Sequence, residues 1–199
     1  MADLAKLGTM TLVDWDRMWT LKWAFLQTAS IPGEIWEAGV YRGGSALMLK
    51  RLILAMRDQP SPPRLRLFDS FEGLPAVQAG LDLHEQGQFS DTSLDAVQRL
   101  LGEERFIDYR VGWIPTTFDG LGGSSIRLAH IDLDLYKSTA DCCEFVYSRM
   151  AAGGVMLFDD YGFESCPGAR KAIDEFFADK PECPLAIPTG QAVVFRIAR

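Results

Sequence analysis

Apolar residues recur with a helical period across residues 12–29, and Trp15, Trp19 and Trp23 stand four positions apart within them. An indole stripe on a helix reads first as a face turned to the core, and second as a lid or a dimer face. Thr11 followed by Asp14 resembles a capping box at its start, and Pro32-Gly33 closes the segment. From Glu34 the pattern shortens. Residues 34–40 form a strand, the run Tyr41 to Ser45 a glycine-rich turn, and residues 46–57 an apolar helix, with Pro60 to Pro63 breaking the chain. Further strands are predicted at 65–68, 106–111, 126–131 and 155–158, and helices at 93–101, 140–150 and 169–178. Ser138 or Thr139 is a candidate cap for the helix at 140–150. Residues 185–187 and 192–197 read as a terminal hairpin around Thr189-Gly190.

Strand–helix alternation through the middle of the chain predicts parallel strands with right-handed crossovers. With the terminal hairpin, it gives a single α/β domain. The expected fold is a Rossmann-like, doubly wound, mostly parallel sheet of seven strands with an antiparallel C-terminal hairpin. Residues 1–30 are expected to form a helical lid or interface segment ahead of the domain at 31–199. Residues 70–92 form a long stretch rich in Gly, Pro and polar residues. A connection of that length in a compact domain is usually functional.

Composition narrows the function. The chain has 199 residues, 48% of them apolar, and a net charge of −7, enough for one buried core. An acidic chain with scattered Lys and Arg is a poor partner for nucleic acid or an anionic membrane surface. No apolar run reaches spanning length, and no leader pattern opens the sequence, so a cytoplasmic protein is expected. The four cysteines, Cys142, Cys143, Cys166 and Cys183, form no C-x-x-C pair and read as free thiols; Cys142 and Cys143 look like small apolar residues on a helix.

Ligands of open α/β sheets bind outside the carboxyl ends of the strands. Glu37, Asp69, Gly112, Asp132 and Asp159 all fall at or near such ends. Glu37, Gly39, Tyr41, Gly43, Gly44 and Ser45 make a strand–turn–helix loop whose glycines let backbone approach a ligand. Its spacing is not the G-x-G-x-x-G of dinucleotide binders, and an acidic residue there suits an ammonium group. Asp69, at the end of the second strand, can accept both hydroxyls of a ribose. Asp132, Asp159 and Asp160 close two strands expected to be neighbours. Three converging carboxylates repel one another, and an all-oxygen set suits Mg²⁺.

Five runs carry a family resemblance: residues 37–45, 68–75, Gly112-Trp113, 130–136 and 153–162, joined by 167–176. They resemble the macrocin O-methyltransferase family, the TylF/MycF type. The resemblance implies a class I sheet that uses S-adenosylmethionine and Mg²⁺ to methylate a hydroxyl of a small molecule, a sugar or natural product. By it, Glu37, Gly39, Tyr41 and Gly43 to Ser45 would line the methionine end of the cofactor. Asp69 would hold the ribose with Ser70 and Phe71 nearby, Gly112 and Trp113 would meet the adenine, and Asp132, Asp159 and Asp160 would bind the metal. Lys137 and Leu133 depart from the family's usual Glu and Gly, and the acceptor is not carried over.

Transfer to an alcohol needs a base. The candidates are Asp132 and His84, the latter in the long stretch after the second strand; His130, inside a strand, reads as a packed core histidine. Rival readings are a metal-independent methyltransferase, a non-catalytic protein that binds the adenosyl cofactor, and a nucleotide-dependent oxidoreductase, which the glycine spacing disfavours. A homodimer is compatible with the Trp stripe.

Overall fold

A computed structural model describes residues 11–56 and 61–198. The predicted helix end at Arg57 and the break at Pro60 lie outside these residues. Seven strands form one sheet: β1 (Glu34–Ala38), β2 (Leu65–Asp69), β3 (Ile107–Val111), β4 (Ile126–Ile131), β5 (Met150–Phe158), β6 (Leu185–Ala186) and β7 (Ala192–Phe195). Their order is β3-β2-β1-β4-β5-β7-β6. The first five are parallel, and β7 joins β5 and β6 antiparallel. The chain winds outward from β1 to β3 and returns to β4 on the other side of β1. The switch point, where such sheets bind ligands, therefore lies between β1 and β4.

The two-residue period of the strands sorts the core into two layers. Ile35, Leu67, Leu128, Leu157 and Val193 pack on one face with α1 (Trp15–Gln27), α2 (Gly44–Ala55) and α3 (Leu94–Leu101). Trp36, Phe68, Ala129, Met156 and Val194 pack on the other with α4 (Tyr136–Tyr147) and α5 (Pro167–Phe177). All six residues of β4 are buried, as expected for a strand covered on both faces. Cys142 and Cys143 are buried within α4, as the sequence suggested.

The Trp stripe does not face the core. Trp15 and Trp19 are 59% and 65% exposed, and α1 buries Met18, Leu21, Ala24 and Phe25 instead. The helix is apolar on two faces, and the one that carries Leu21, Ala24 and Phe25 packs into the core. Two expected caps also fail. Asp14, not Thr11, is the N-cap residue of α1, while the Thr11 hydroxyl accepts from the Val13 N–H at 3.0 Å. Helix α4 begins before Ser138 and Thr139, because the Asp82 carboxylate, from the long loop, accepts the Tyr136 N–H at 2.8 Å. Strand β5 starts at Met150, five residues before the predicted 155, and Gly153 and Gly154 lie inside it. There Gly153 N–H donates to Arg196 O and Arg196 N–H to Gly154 O.

Candidate functional site

Backbone hydrogen bonds continue one residue past the strands and set the predicted tip residues side by side. Gly112 N–H donates to Asp69 O, Gly39 N–H to Phe68 O, Asp132 N–H to Ala38 O, and Asp159 N–H to Ile131 O, at 2.8 to 3.0 Å. Gly39 has φ +88°, and a Cβ there would lie 1.8 Å from Asp132 O. Only glycine lets the tips of β1 and β4 approach so closely. A cleft opens over these tips. It is lined by Gly39, Tyr41, Ser45, Asp69, Ser70, Gly112, Trp113, Asp132 and Asp160 among the predicted site residues, and by His84 from the long loop. Three of the four non-glycine residues with positive φ among the described residues, Tyr41, Phe89 and Asp134, line it too. Strained backbone of this kind concentrates at functional sites.

Asp69 organises the loops as well as facing the cleft. Its Oδ2 accepts from the Val40 and Tyr41 N–H groups at 2.7 and 2.8 Å, and its Oδ1 from Phe71 N–H at 2.7 Å. One carboxylate thus fixes the turn after β1 against the turn after β2.

Glu37 and Asp159 lie beneath the cleft in a buried polar row across four strands. His130 Nδ1 is 3.1 Å from Glu37 Oε1, and its Nε2 is 3.4 Å from Asp159 Oδ1. Gln191 Nε2 donates to the same Asp159 oxygen at 2.7 Å, and Arg17, from α1, forms an ion pair with Asp159 Oδ2. Burial opposes a charge on His130, but the hydrogen bonds and charges of Asp159 and Glu37 outweigh it and raise its pKa to about 9. Asp159 is lowered despite its burial, through His130, Arg17 and Gln191. His130 is buried, as expected, but as a charged link rather than a passive filler. Glu37 Oε2 is buried with no hydrogen-bond partner, an open acceptor of the kind an ammonium group would satisfy.

The carboxylates that crowd the cleft are Asp132, Asp134 and Asp160, with one oxygen from each within 4.8 Å of the others. Burial and mutual repulsion push Asp132 and Asp134 well above the usual carboxylate range. Asp160 rises to about 6 by burial and the Asp159 charge, held back by the Leu133 and Asp134 N–H groups that donate to its Oδ2 at 3.0 and 2.9 Å. Asp159, expected in this set, also comes within 4.8 Å of Asp132 in a group with His130, but its oxygens are taken by Arg17, His130 and Gln191. An all-carboxylate set with unrelieved repulsion fits a hard divalent cation.

Among the other expected residues, Phe71 packs in the core beside α2 and α3, and Gly43 is the left-handed N-cap of α2, against Val97 and Leu100. Gly44 is buried as the first residue of α2. Sequence reading missed Asp134, Arg17, Gln191 and Cys166. Asp134 lay inside a motif already singled out. Arg17 and Gln191 reach Asp159 from 142 and 32 residues away, and no local pattern marks such partners.

An open doubly wound sheet with a cleft and acidic residues at its switch point is the Rossmann-like architecture of the O-methyltransferases. The macrocin-O-methyltransferase (TylF) family profile matches residues 2–196, and the chain belongs to that family. It is 31% identical over 157 residues to the 8-demethyl-8-(2,3-dimethoxy-alpha-L-rhamnosyl)-tetracenomycin-C 4'-O-methyltransferase of Streptomyces olivaceus, covering 73% of this chain and 58% of that one. It is 30% identical over 162 residues to the demethyldecarbamoylnovobiocin O-methyltransferase of Streptomyces niveus, covering 75% and 60%. The matches therefore span about three fifths of these relatives' length. Among solved structures, the O-methyltransferase NovP superposes with a TM-score of 0.82 at 24% identity, over 95% of this chain and 83% of that one. The calicheamicin methyltransferase CalS11 gives 0.80 at 20%, over 94% and 80%. No helix among the described residues is long and apolar enough to cross a membrane.

Proposed function

We propose that this chain is an S-adenosylmethionine-dependent O-methyltransferase, assisted by Mg²⁺, that acts on a sugar hydroxyl of a natural product. The observation that carries the reading is the convergence, in one cleft, of the β1 and β2 tips, three carboxylates and the His84 imidazole. The relatives named above are O-methyltransferases of a rhamnosyl tetracenomycin and of demethyldecarbamoylnovobiocin, and the rhamnosyl group of the first supports a sugar acceptor.

When bound, the cofactor supplies an electrophilic sulfonium methyl, and a divalent cation favours loss of a hydroxyl proton. Asp69 keeps the turns after β1 and β2 in place and offers its carboxylate to a ribose, while Glu37, whose Oε2 has no hydrogen-bond partner, stands near the end of β1. Gly112 and Trp113 form the wall beyond β3. Asp132 and Asp160 would hold the cation. Asp134 completes the set as the side chains stand, and Asp159 completes it if Arg17 withdraws.

His84 serves as the base. Its Nδ1 is 2.9 Å from Gln88 Oε1, which also accepts the Glu85 N–H at 3.2 Å. That oxygen is thereby fixed as an acceptor, so the neutral ring carries its proton on Nδ1 and its lone pair on Nε2, inside the cleft. An acceptor hydroxyl in the cleft would give up its proton to Nε2.

The test is transfer of labelled methyl from S-adenosylmethionine to a panel of glycosides and aglycones, with and without a chelator. Label on glycosides alone, lost on chelation and restored by Mg²⁺, is expected. Equal turnover in chelator removes the metal, and labelling of aglycones removes the sugar.

A further inference from the structure

His84, Asp134 and Cys166 meet on the cleft wall from three separate segments: the long loop after β2, the turn after β4, and the N-cap of α5. Their ligand atoms form a nearly equilateral triangle. His84 Nε2 is 3.4 Å from Cys166 Sγ and 3.5 Å from Asp134 Oδ1, and Cys166 Sγ is 3.5 Å from that same oxygen. Zinc bond lengths of about 2.0 to 2.3 Å in a tetrahedron put neighbouring ligand atoms about 3.3 to 3.6 Å apart. The three atoms therefore outline one face of a zinc tetrahedron, and the fourth position would point away from that face.

We propose that His84, Asp134 and Cys166 form a site for Zn²⁺ or a similar borderline-soft divalent ion, set apart by its imidazole and thiol from the all-carboxylate group beside it, with which it shares Asp134. A second observation points the same way. Histidines that bind metal donate their other ring N–H to a fixed acceptor, which sets tautomer and ring angle. Gln88 Oε1 already does this for His84, and Glu85 N–H fixes the amide in turn.

The segments are also pinned before any ion arrives. Leu74 N–H donates to Gln88 O at 2.8 Å, and Gly87 N–H to Leu74 O at 2.9 Å. Asp82 ties the loop to the start of α4. Ring, thiol and carboxylate are thus presented by anchored backbone, which lowers the ordering cost of capture. As the sulfur–zinc bond forms, Cys166 releases its proton to solvent. Thiol and imidazole favour zinc over magnesium, which prefers oxygen donors and retained waters.

One consequence rests on the function proposed above: zinc takes the Nε2 lone pair that proton transfer needs, so an occupied site silences the base. The site itself does not depend on that reading, and its test uses neither cofactor nor acceptor. Co²⁺ added to the full-length, reduced protein should give a thiolate-to-cobalt charge-transfer band that saturates at one equivalent, and Zn²⁺ should bleach it. Cys166→Ser and His84→Gln should each remove the band. Gln88→Leu, which leaves all three ligands, should weaken Zn²⁺ by about 10- to 100-fold, read by competition with a chromophoric chelator. A band that persists in either ligand variant, or no band in the wild-type protein, overturns the site. Circular dichroism of each variant shows that it has folded. Wild-type Co²⁺ binding without any methyl transfer would leave the site standing and remove only the catalytic reading.

Discussion

Raising the pH from 6.5 to 8.5 should remove about 2 kcal/mol of folding stability at His130 alone. In the unfolded chain this imidazole titrates near its model value of 6.5; in the fold, the Glu37 and Asp159 carboxylates raise it to about 9. The folded state thus holds the proton more tightly. Its stabilising contribution is complete below pH 6.5, about 3 kcal/mol at about 1.4 kcal/mol per unit, and is lost as pH climbs toward 9. The raised pKa values of Asp132 and Asp134 act with the same sign, since the unfolded chain ionises them first. A variant is therefore needed to isolate His130. Urea denaturation of wild-type protein and His130→Gln should be compared from pH 6.5 to 8.5 in chelator. The wild-type midpoint should fall by about 1 M more than that of the variant. The chain has two histidines, so the His130 ring resonance can also be followed directly by NMR. A ring that titrates at or below 6.5, or parallel midpoint curves, would refute the claim that the buried row holds a charged imidazole.

Three further outcomes are expected. Gly39→Ala should lower Tm by about 10 °C or more, because a Cβ at φ +88° meets Asp132 O at 1.8 Å; Gly43→Ala, whose nearest neighbour is a Val97 methyl at 3.2 Å, should cost clearly less in the same scan. Asp69→Ala frees the Val40, Tyr41 and Phe71 N–H groups and should weaken S-adenosylhomocysteine by at least about tenfold in calorimetry; unchanged affinity would count against the loop-fixing role. Arg17→Gln removes the cation paired with Asp159 and should tighten Mn²⁺ binding about tenfold, about 1.4 kcal/mol, in a paramagnetic titration. No change there would mean that Asp159 takes no part in holding a metal.

What the sequence disclosed and what it hid divide along a physical line. Alternation and strand length placed Gly39, Asp69, Gly112 and Asp132 at strand tips, and parallel pairing then had to bring those tips together. That inference is local in sequence and general in physics, and it succeeded. Side-chain direction is neither. Asp159 and Asp160 are adjacent at the end of β5, yet the pleat sends one under the sheet to His130 and leaves the other over the cleft. That alternation, which gives the two aspartates different partners, could have been applied from the sequence. The β1–β4 register that sets Glu37 beside His130 could not, because it depends on the close approach of two tips at Gly39.

The same distinction explains the Trp stripe. Period alone identifies a face, not its destination. In α1 the spacing of Trp15 and Trp19 competes with that of Met18, Leu21 and Phe25, and only one set can lie on the sheet. Leu21, Ala24 and Phe25 pack into the core with residues of α2 and the sheet, and Trp15 and Trp19 turn outward. Arg17 then falls at the boundary between the two faces, with 12% of its side chain exposed and its guanidinium on Asp159. The position of that cation follows from which face of the helix won. A substitution that flipped the preference, such as Met18→Glu, would therefore disturb Asp159 and the cleft as well as the packing.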